Sequence, residues 1–380
     1  MKKLIVMLFL TCCIQLSKAQ QYQINATLTG FENNTKFYLQ DINTDKKIDS
    51  AVLINGKLSM KGKINQVTAL WLCGYYKNQF YFTNLLIGAD QVTIKADAKD
   101  FPWYVNITGS KSQDKANILN NQIKQLWQER DSLIKIVFPL TLVKQNDSIS
   151  QITKPLIKQI QKLDSTREAI TEKFISTYLN SDAALQQLYY KKSSYKKEDF
   201  IALMNKINPT YKNTLFGKLL VNYQKVGNIL KKGDQFYDFS ATDLKGKKYT
   251  LSDFKDKYIL LDFTETYCAP CIEAAGDLDI LAKKFPEELQ IISFYGETDP
   301  KVMQIGLDRD RPLWPAVWDG KGHLSEISLK YGVTGFPTFV LIAPNGEIIS
   351  HTSGFGRDDN GIGSLVKNIN SIMKSKTSKN

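Results

Sequence analysis

Histidine, cysteine and long apolar runs are scarce in this sequence. Its 380 residues include 2 histidines and 5 cysteines. A structural zinc takes four nitrogen or sulfur ligands, and His323, His351 and the scattered cysteines do not make up such a set. Neither a metal nor an organic cofactor is therefore expected, and both histidines are read as ordinary surface or edge residues. Beyond the first residues, no segment approaches the roughly 18 apolar residues that open a case for a membrane-spanning helix. Low-complexity tracts are also missing, and 43% hydrophobic with 23% charged residues is the composition of a folded chain. The formal charge of +12 comes from lysines dispersed among Asp and Glu. That pattern describes a solvated surface rather than a nucleic-acid or membrane face, and the tail from Lys374 to Lys379 reads as a frayed end.

What is present begins with a leader. Lys2 and Lys3 precede an apolar stretch from Leu4 to Ile14, and Ser17-Lys18-Ala19 offers small residues at the positions a signal peptidase reads. Cleavage after Ala19 and a soluble mature chain are expected. A lipoprotein reading would lipidate Cys12 or Cys13, but Leu10-Thr11 lack the small residue wanted ahead of that cysteine. Without the leader, Cys73, Cys268 and Cys271 remain. An exported chain stabilised by disulfides normally carries several spaced pairs. One close pair encloses too little chain to restrict the unfolded state much, which leaves reactivity or metal binding as its purpose.

Three regions follow the leader at 1–19. Residues 20–110 read as an all-β, sandwich-like domain. Ile24, Ala26 and Leu28 alternate, as do Val92, Ile94 and Ala96, and Asn55-Gly56 between apolar residues signals a hairpin. Residues 111–231 read as an α-helical connector. Leu119, Ile123, Leu126 and Leu133 share a helical period, as do Leu156, Ile160, Leu163, Ile170 and Phe174, and Ser181 and Ser194 are expected N-caps. Residues 232–380 alternate in a βαβ manner, the pattern of an α/β domain with a central mixed sheet flanked by helices. Strands are expected at 258–264, 289–295, 338–342 and 347–351, with a helix starting at the cysteines.

The chemistry sits at Cys268-Ala269-Pro270-Cys271, which follows a buried strand and opens a helix. The unpaired N–H groups and macrodipole of a helix start favour an anion, so the Cys268 thiolate is expected to be stabilised. Cys271, one turn further in, is placed to attack a mixed disulfide held on Cys268. Pro270 suits a first turn, where its missing N–H would have had no partner. Asp262, six residues upstream among Leu260, Leu261 and Phe263, is expected beneath the cysteines as a desolvated proton relay for Cys271. The competing reading is an edge aspartate facing solvent. Phe336-Pro337, just before an apolar strand, is a candidate cis bond whose loop would offer the Phe336 backbone to a substrate strand.

From about residue 232 onward, the sequence resembles the TlpA-like branch of exported thioredoxins. The resemblance is carried by Asp238-Phe239, Asp243 to Lys247, Leu251 to Phe254, the cysteine motif, Tyr331 to Thr338 and Ala343 to Gly346. Trp314-Pro315 and Trp318-Asp319 resemble that branch's extra segment, and the β-domain and connector resemble accessory regions fused to such proteins in Gram-negative bacteria. The resemblance implies a periplasmic thiol–disulfide oxidoreductase with a reversible Cys268–Cys271 disulfide. Tyr267, Ala269, Pro270, Phe336 and Pro337 would line its substrate surface. It also implies protein thiols and disulfides of the cell envelope as substrates, and a membrane electron donor upstream. Two departures stand out: Tyr267 replaces the family's tryptophan before the first cysteine, and Thr264-Glu265-Thr266 replaces its aromatic after the strand. Glu265 is expected to raise the thiol pKa.

Other readings fare less well. A peroxiredoxin carries Thr or Ser three residues before its reactive cysteine, where Glu265 stands here. A binding or tethering protein, with the β-domain recognising an envelope partner, is the alternative function. Cys73 is read as a small buried hydrophobe rather than a partner-linked thiol.

Overall fold

The computed structural model describes residues 21–44, 46–141, 147–356 and 363–377. The expected leader, with Cys12 and Cys13, lies outside them. The chain forms two units. One runs to Ile160 without residues 40–47, and the other comprises 40–47 and everything from Gln161.

The first unit opens with β1 (Gln21–Thr29), β2 (Lys36–Asp41), β3 (Lys47–Val52), β4 (Lys57–Lys63), β5 (Thr68–Tyr76), β6 (Gln79–Ile87), β7 (Gln91–Asp97) and β8 (Asn106–Thr108). They form two sheets, ordered β4-β1-β7-β8 and β3-β2-β5-β6. Along β1 every second residue from Tyr22 to Leu28 is buried, the period of a strand with one covered face. Ile24, Leu28, Phe37, Leu39, Leu70 and Leu85 from both sheets share one core, as in a sandwich. Cys73 is buried on β5.

Asn55-Gly56 does form a two-residue turn, with φ of 50° and 71°, the positive angles such a turn demands. Ile54 and Lys57 exchange backbone hydrogen bonds across it at 2.9 Å. The expected hairpin ends there, because β3 and β4 belong to different sheets. Leu53 and Leu58 on either side both enter the core, and the Leu28 N–H binds the Gly56 carbonyl. The turn is a corner between sheets.

The helices α1 (Lys111–Thr141), α2 (Asp147–Thr177), α3 (Asp182–Lys191), α4 (Lys197–Lys206), α5 (Pro209–Lys212) and α6 (Leu215–Val226) follow. Ser181 caps α3 through the Ala184 N–H. Ser194 caps nothing. It closes a 3-10 turn, and Tyr195 continues extended with its hydroxyl bound to Glu172, so α4 begins after Lys196.

The remaining elements are β9 (Ser240–Thr242), β10 (Lys248–Thr250), β11 (Tyr258–Thr264), α7 (Ala269–Lys284), β12 (Leu289–Tyr295), α8 (Pro300–Asp310), β13 (Ala316–Trp318), α9 (Glu326–Lys330), β14 (Thr338–Ile342), β15 (Ile348–Ser353) and α10 (Ser364–Thr377). Their mixed sheet is ordered β10-β9-β13-β12-β11-β14-β15. The central β11 runs parallel to β12 and antiparallel to β14. Its near-continuous apolar run serves two cores. Ile259, Leu261 and Phe263 pack with Phe294, Tyr331 and Val340. Leu260 faces the other way, onto Ala274 and Leu278 of α7 and Leu365 and Ile369 of α10. Side chains alternate along a strand, so Asp262 shares the α7 side with Leu260.

In the first unit, Gln113 ties the start of α1 to the sheets. Its Oε1 accepts the Leu86 N–H at 2.7 Å, and its Nε2 donates to Asn117, whose own amide reaches the Ile107 carbonyl. Gln113→Leu leaves the Leu86 N–H buried without an acceptor, a cost of about 1–3 kcal/mol. Hydrogen exchange on the full chain is expected to show the Leu86 amide losing roughly 10- to 100-fold of its protection.

Candidate active site

Antiparallel pairing dictates what meets the cysteines. Phe263 lies opposite Thr338, so the loop leaving the end of β11 and the loop entering β14 emerge side by side. The first carries Cys268 and the second carries Phe336-Pro337.

Cys268 is the N-cap residue of α7, with extended backbone, and Pro270 occupies its first turn. The Cys268 sulfur accepts the Cys271 N–H at 3.3 Å, and its carbonyl accepts the N–H groups of Cys271 and Ile272 at 3.0 and 3.1 Å. This is the arrangement in which backbone donors at a helix start stabilise a thiolate. The two cysteines are joined as a disulfide with Cα atoms 5.2 Å apart. They differ in access: Cys268 is half-buried, whereas Cys271 is 5% exposed. Tyr267, Ala269 and Pro270 are exposed around the first sulfur.

The Phe336–Pro337 peptide is cis. Pro337 is buried and Phe336 half-buried, and Thr338 bonds back to the Gly335 carbonyl at 2.7 Å. Among the described residues, no hydrogen bond takes up the Phe336 backbone N–H or C=O. Gly296, at the end of β12, packs so close that a Cβ there would lie 2.7 Å from the Phe336 ring and 3.0 Å from the Glu265 carboxylate. That glycine lets the cis-proline loop, the cysteine loop and the end of β12 converge. His323 lies beside Phe336, ring centroids 6.4 Å apart. It is half-buried, and burial, reinforced by Lys192, pushes its imidazole down to about 4.

Asp262 is 3% exposed, so the solvent-facing alternative fails. Its Oδ2 accepts the Ser293 hydroxyl at 2.7 Å, and the Trp314 indole N–H donates to that same hydroxyl at 2.9 Å. Burial pushes its carboxyl up to about 7, with the Ser293 bond opposing and Asp310 adding to the rise. Its hydrogen bond among the described residues goes to Ser293 rather than to a cysteine.

The roles of several neighbours went unread in the sequence. Ser293 and Trp314 fix the Asp262 carboxylate, and an apolar β12 run containing one serine opposite the strand aspartate was the available signal. Glu297 was missed too, although an acid directly after a buried run and a glycine is a cue. Its carboxylate accepts the Thr266 N–H at 2.6 Å, two residues ahead of Cys268.

Two segments of the chain match known family models. Residues 232–351 match the model of the AhpC/TSA family, and residues 22–116 match that of a domain of unknown function (DUF4369). The thiol-disulfide oxidoreductase ResA of Bacillus thuringiensis subsp. konkukian is 36% identical over 124 residues, which span 32% of this chain and 69% of that protein. ResA of Halalkalibacterium halodurans is 32% identical over 129 residues, 33% of this chain and 72% of that protein. A solved thiol-disulfide oxidoreductase from Bacteroides fragilis aligns at 27% identity and a TM-score of 0.30, covering 31% of this chain and 89% of that one. With more than two thirds of a ResA matched at such identity, this chain belongs to the ResA-like thiol-disulfide oxidoreductases and is a protein-disulfide oxidoreductase.

Proposed function

We propose that the mature chain works outside the inner membrane, exchanging disulfides of envelope proteins through a mixed disulfide on Cys268. The observation that carries this reading is the unequal exposure of the two cysteines at one helix start, beside a cis-proline loop with an open backbone. In the reducing direction, the Cys268 thiolate attacks one sulfur of a substrate disulfide. The other substrate sulfur leaves as a thiolate and takes up a proton. Cys271, having lost its proton, then attacks the Cys268 sulfur, releasing the second substrate thiol and closing the Cys268–Cys271 disulfide. Two electrons pass to the substrate, and the same steps reversed would oxidise it.

Asp262, on the α7 side of the strand, is the group we assign to the Cys271 proton, since its raised pKa lets it exchange protons near neutrality. An extended substrate would bind along the Phe336 backbone, with Tyr267, Ala269, Pro270 and Pro337 around the attacked sulfur. Export rests on the Lys2 to Ala19 leader, and no helix among the described residues is long and apolar enough to cross a membrane. Turnover as a reductant in an oxidising compartment calls for an electron donor in the membrane.

Cys268→Ser is expected to abolish reduction of a model protein disulfide, and Cys271→Ser to accumulate a covalent mixed disulfide visible on a non-reducing gel. Wild-type rates in both variants would refute the mechanism.

Asp262 also yields a pH prediction. Its folded-state pKa of about 7 exceeds the ordinary 3.8, so the folded protein holds this proton more tightly than the unfolded chain. The resulting penalty on folding is absent below about pH 4, grows as pH rises and is complete above about pH 7, with an upper limit of roughly 4 kcal/mol. Asp262→Asn removes the penalty. In denaturation of the oxidised protein, the variant is expected to gain about 1–3 kcal/mol over wild type at pH 8 and little at pH 4. The same variant is expected to slow disulfide exchange above pH 7, where the lost carboxylate would have served as base.

A further inference from the structure

The peptide ahead of the dithiol is gripped from three sides. Thr266 is fully buried. Its N–H donates to Glu297 Oε1 at 2.6 Å, its hydroxyl donates to the Val302 carbonyl at 3.0 Å, and its carbonyl accepts from Arg309 Nη1 at 2.6 Å. Arg309 is itself oriented by two 2.6 Å bonds to the Asp310 carboxylate. Val302, Arg309 and Asp310 all belong to α8, so this helix and the end of β12 together clamp one residue of the cysteine loop. Gly306 on α8 permits the approach, since a Cβ there would lie 2.7 Å from the Thr266 hydroxyl.

Glu297 has more carboxylate than the clamp needs. It is 8% exposed, and its Oε2 is buried with no hydrogen-bond partner among the described residues. A neutral acceptor would hold the Thr266 N–H equally well, and a buried charge is costly to retain. Burial pushes the carboxyl up, while the Thr266 bonds and Arg309 oppose the rise. Glu297 lies one hydrogen bond beyond Thr266, which is itself at most about 7 Å of backbone from Cys268, and a poorly solvated charge acts over such a range.

We propose that Glu297 is a positioning residue of the redox centre: it holds Thr266 in place and, through its charge, tempers the reactivity of the Cys268 thiolate, with Arg309 as the opposing charge on the same residue. This rests on Cys268 being the attacking thiol. The other titratable groups around the clamp include Asp262 and Tyr295 on the strands, Glu265 and Tyr267 in the loop, Asp299 and Asp310 at the two ends of α8, and Lys46, which pairs with Asp299 at 3.8 Å.

The test is the pH dependence of Cys268 alkylation by iodoacetamide in the reduced full-length chain, with Cys271 replaced by Ser in every variant. Glu297→Gln keeps an acceptor oxygen and removes the charge, so the midpoint is expected to fall by roughly half to one pH unit. Arg309→Met removes the opposing charge, and the midpoint is expected to rise. Simple loosening of the loop would move both variants the same way, so shifts of opposite sign support the proposal. Equal midpoints in wild type and Glu297→Gln, or shifts of the same sign in both, overturn it. Should Glu297→Gln fail to fold, Arg309→Met decides alone: a rise supports the proposal, and no change or a fall overturns it. Failure of the unsubstituted chain to reduce a model disulfide would count against the oxidoreductase mechanism instead, and would leave the alkylation midpoints readable.

Discussion

The register between β11 and β14 is the constraint on which the redox centre depends. With Phe263 opposite Thr338, the cysteine loop and the cis-proline loop must leave the sheet at the same edge, side by side. A slip of one residue would turn Asp262 to the opposite face and Leu261 toward α7. The apolar residues of β11 prevent it, because Leu260 and Leu261 each fill a different core. Packing that merely stabilises the sheet therefore also decides which face of the sheet carries the Asp262 carboxylate.

Around that frame, two electrostatic influences oppose one another. The start of α7 presents backbone N–H groups to Cys268 and favours its thiolate. Two buried carboxylates lie nearby, Asp262 on the α7 face of the sheet and Glu297 bonded to the loop at Thr266. Arg309 is the cation that reaches the loop backbone. In the proposed mechanism, the balance between helix start and buried acids would set how readily the dithiol gives up electrons, and single charges near the loop would shift it.

The sequence revealed a good deal of this and missed the rest for identifiable reasons. The strands at 258–264, 289–295 and 338–342 were legible because a buried central strand is apolar on both faces. The close pair at Cys268 and Cys271, the burial of Asp262 and the cis bond at Pro337 could each be read from the residues immediately around them. The Asn55-Gly56 turn was found, yet its role as a corner was not, since turn chemistry is local whereas Leu53 and Leu58 answer to a core assembled from the whole domain. Ser194 misled because Tyr195 is held by Glu172, a partner far away in sequence. Ser293, Trp314, Glu297 and Arg309 escaped for the same reason: each acts through a bond to a residue at least 20 positions distant.

The most direct test of the central claim is a titration of the full-length protein in glutathione buffers of graded ratio, with thiols trapped by alkylation and located by mass spectrometry. The account predicts one reversible two-electron transition confined to Cys268 and Cys271, with buried Cys73 unchanged throughout. A Cys268–Cys271 pair that stays in one state across the whole range, or thiol exchange that instead involves Cys73, would contradict it.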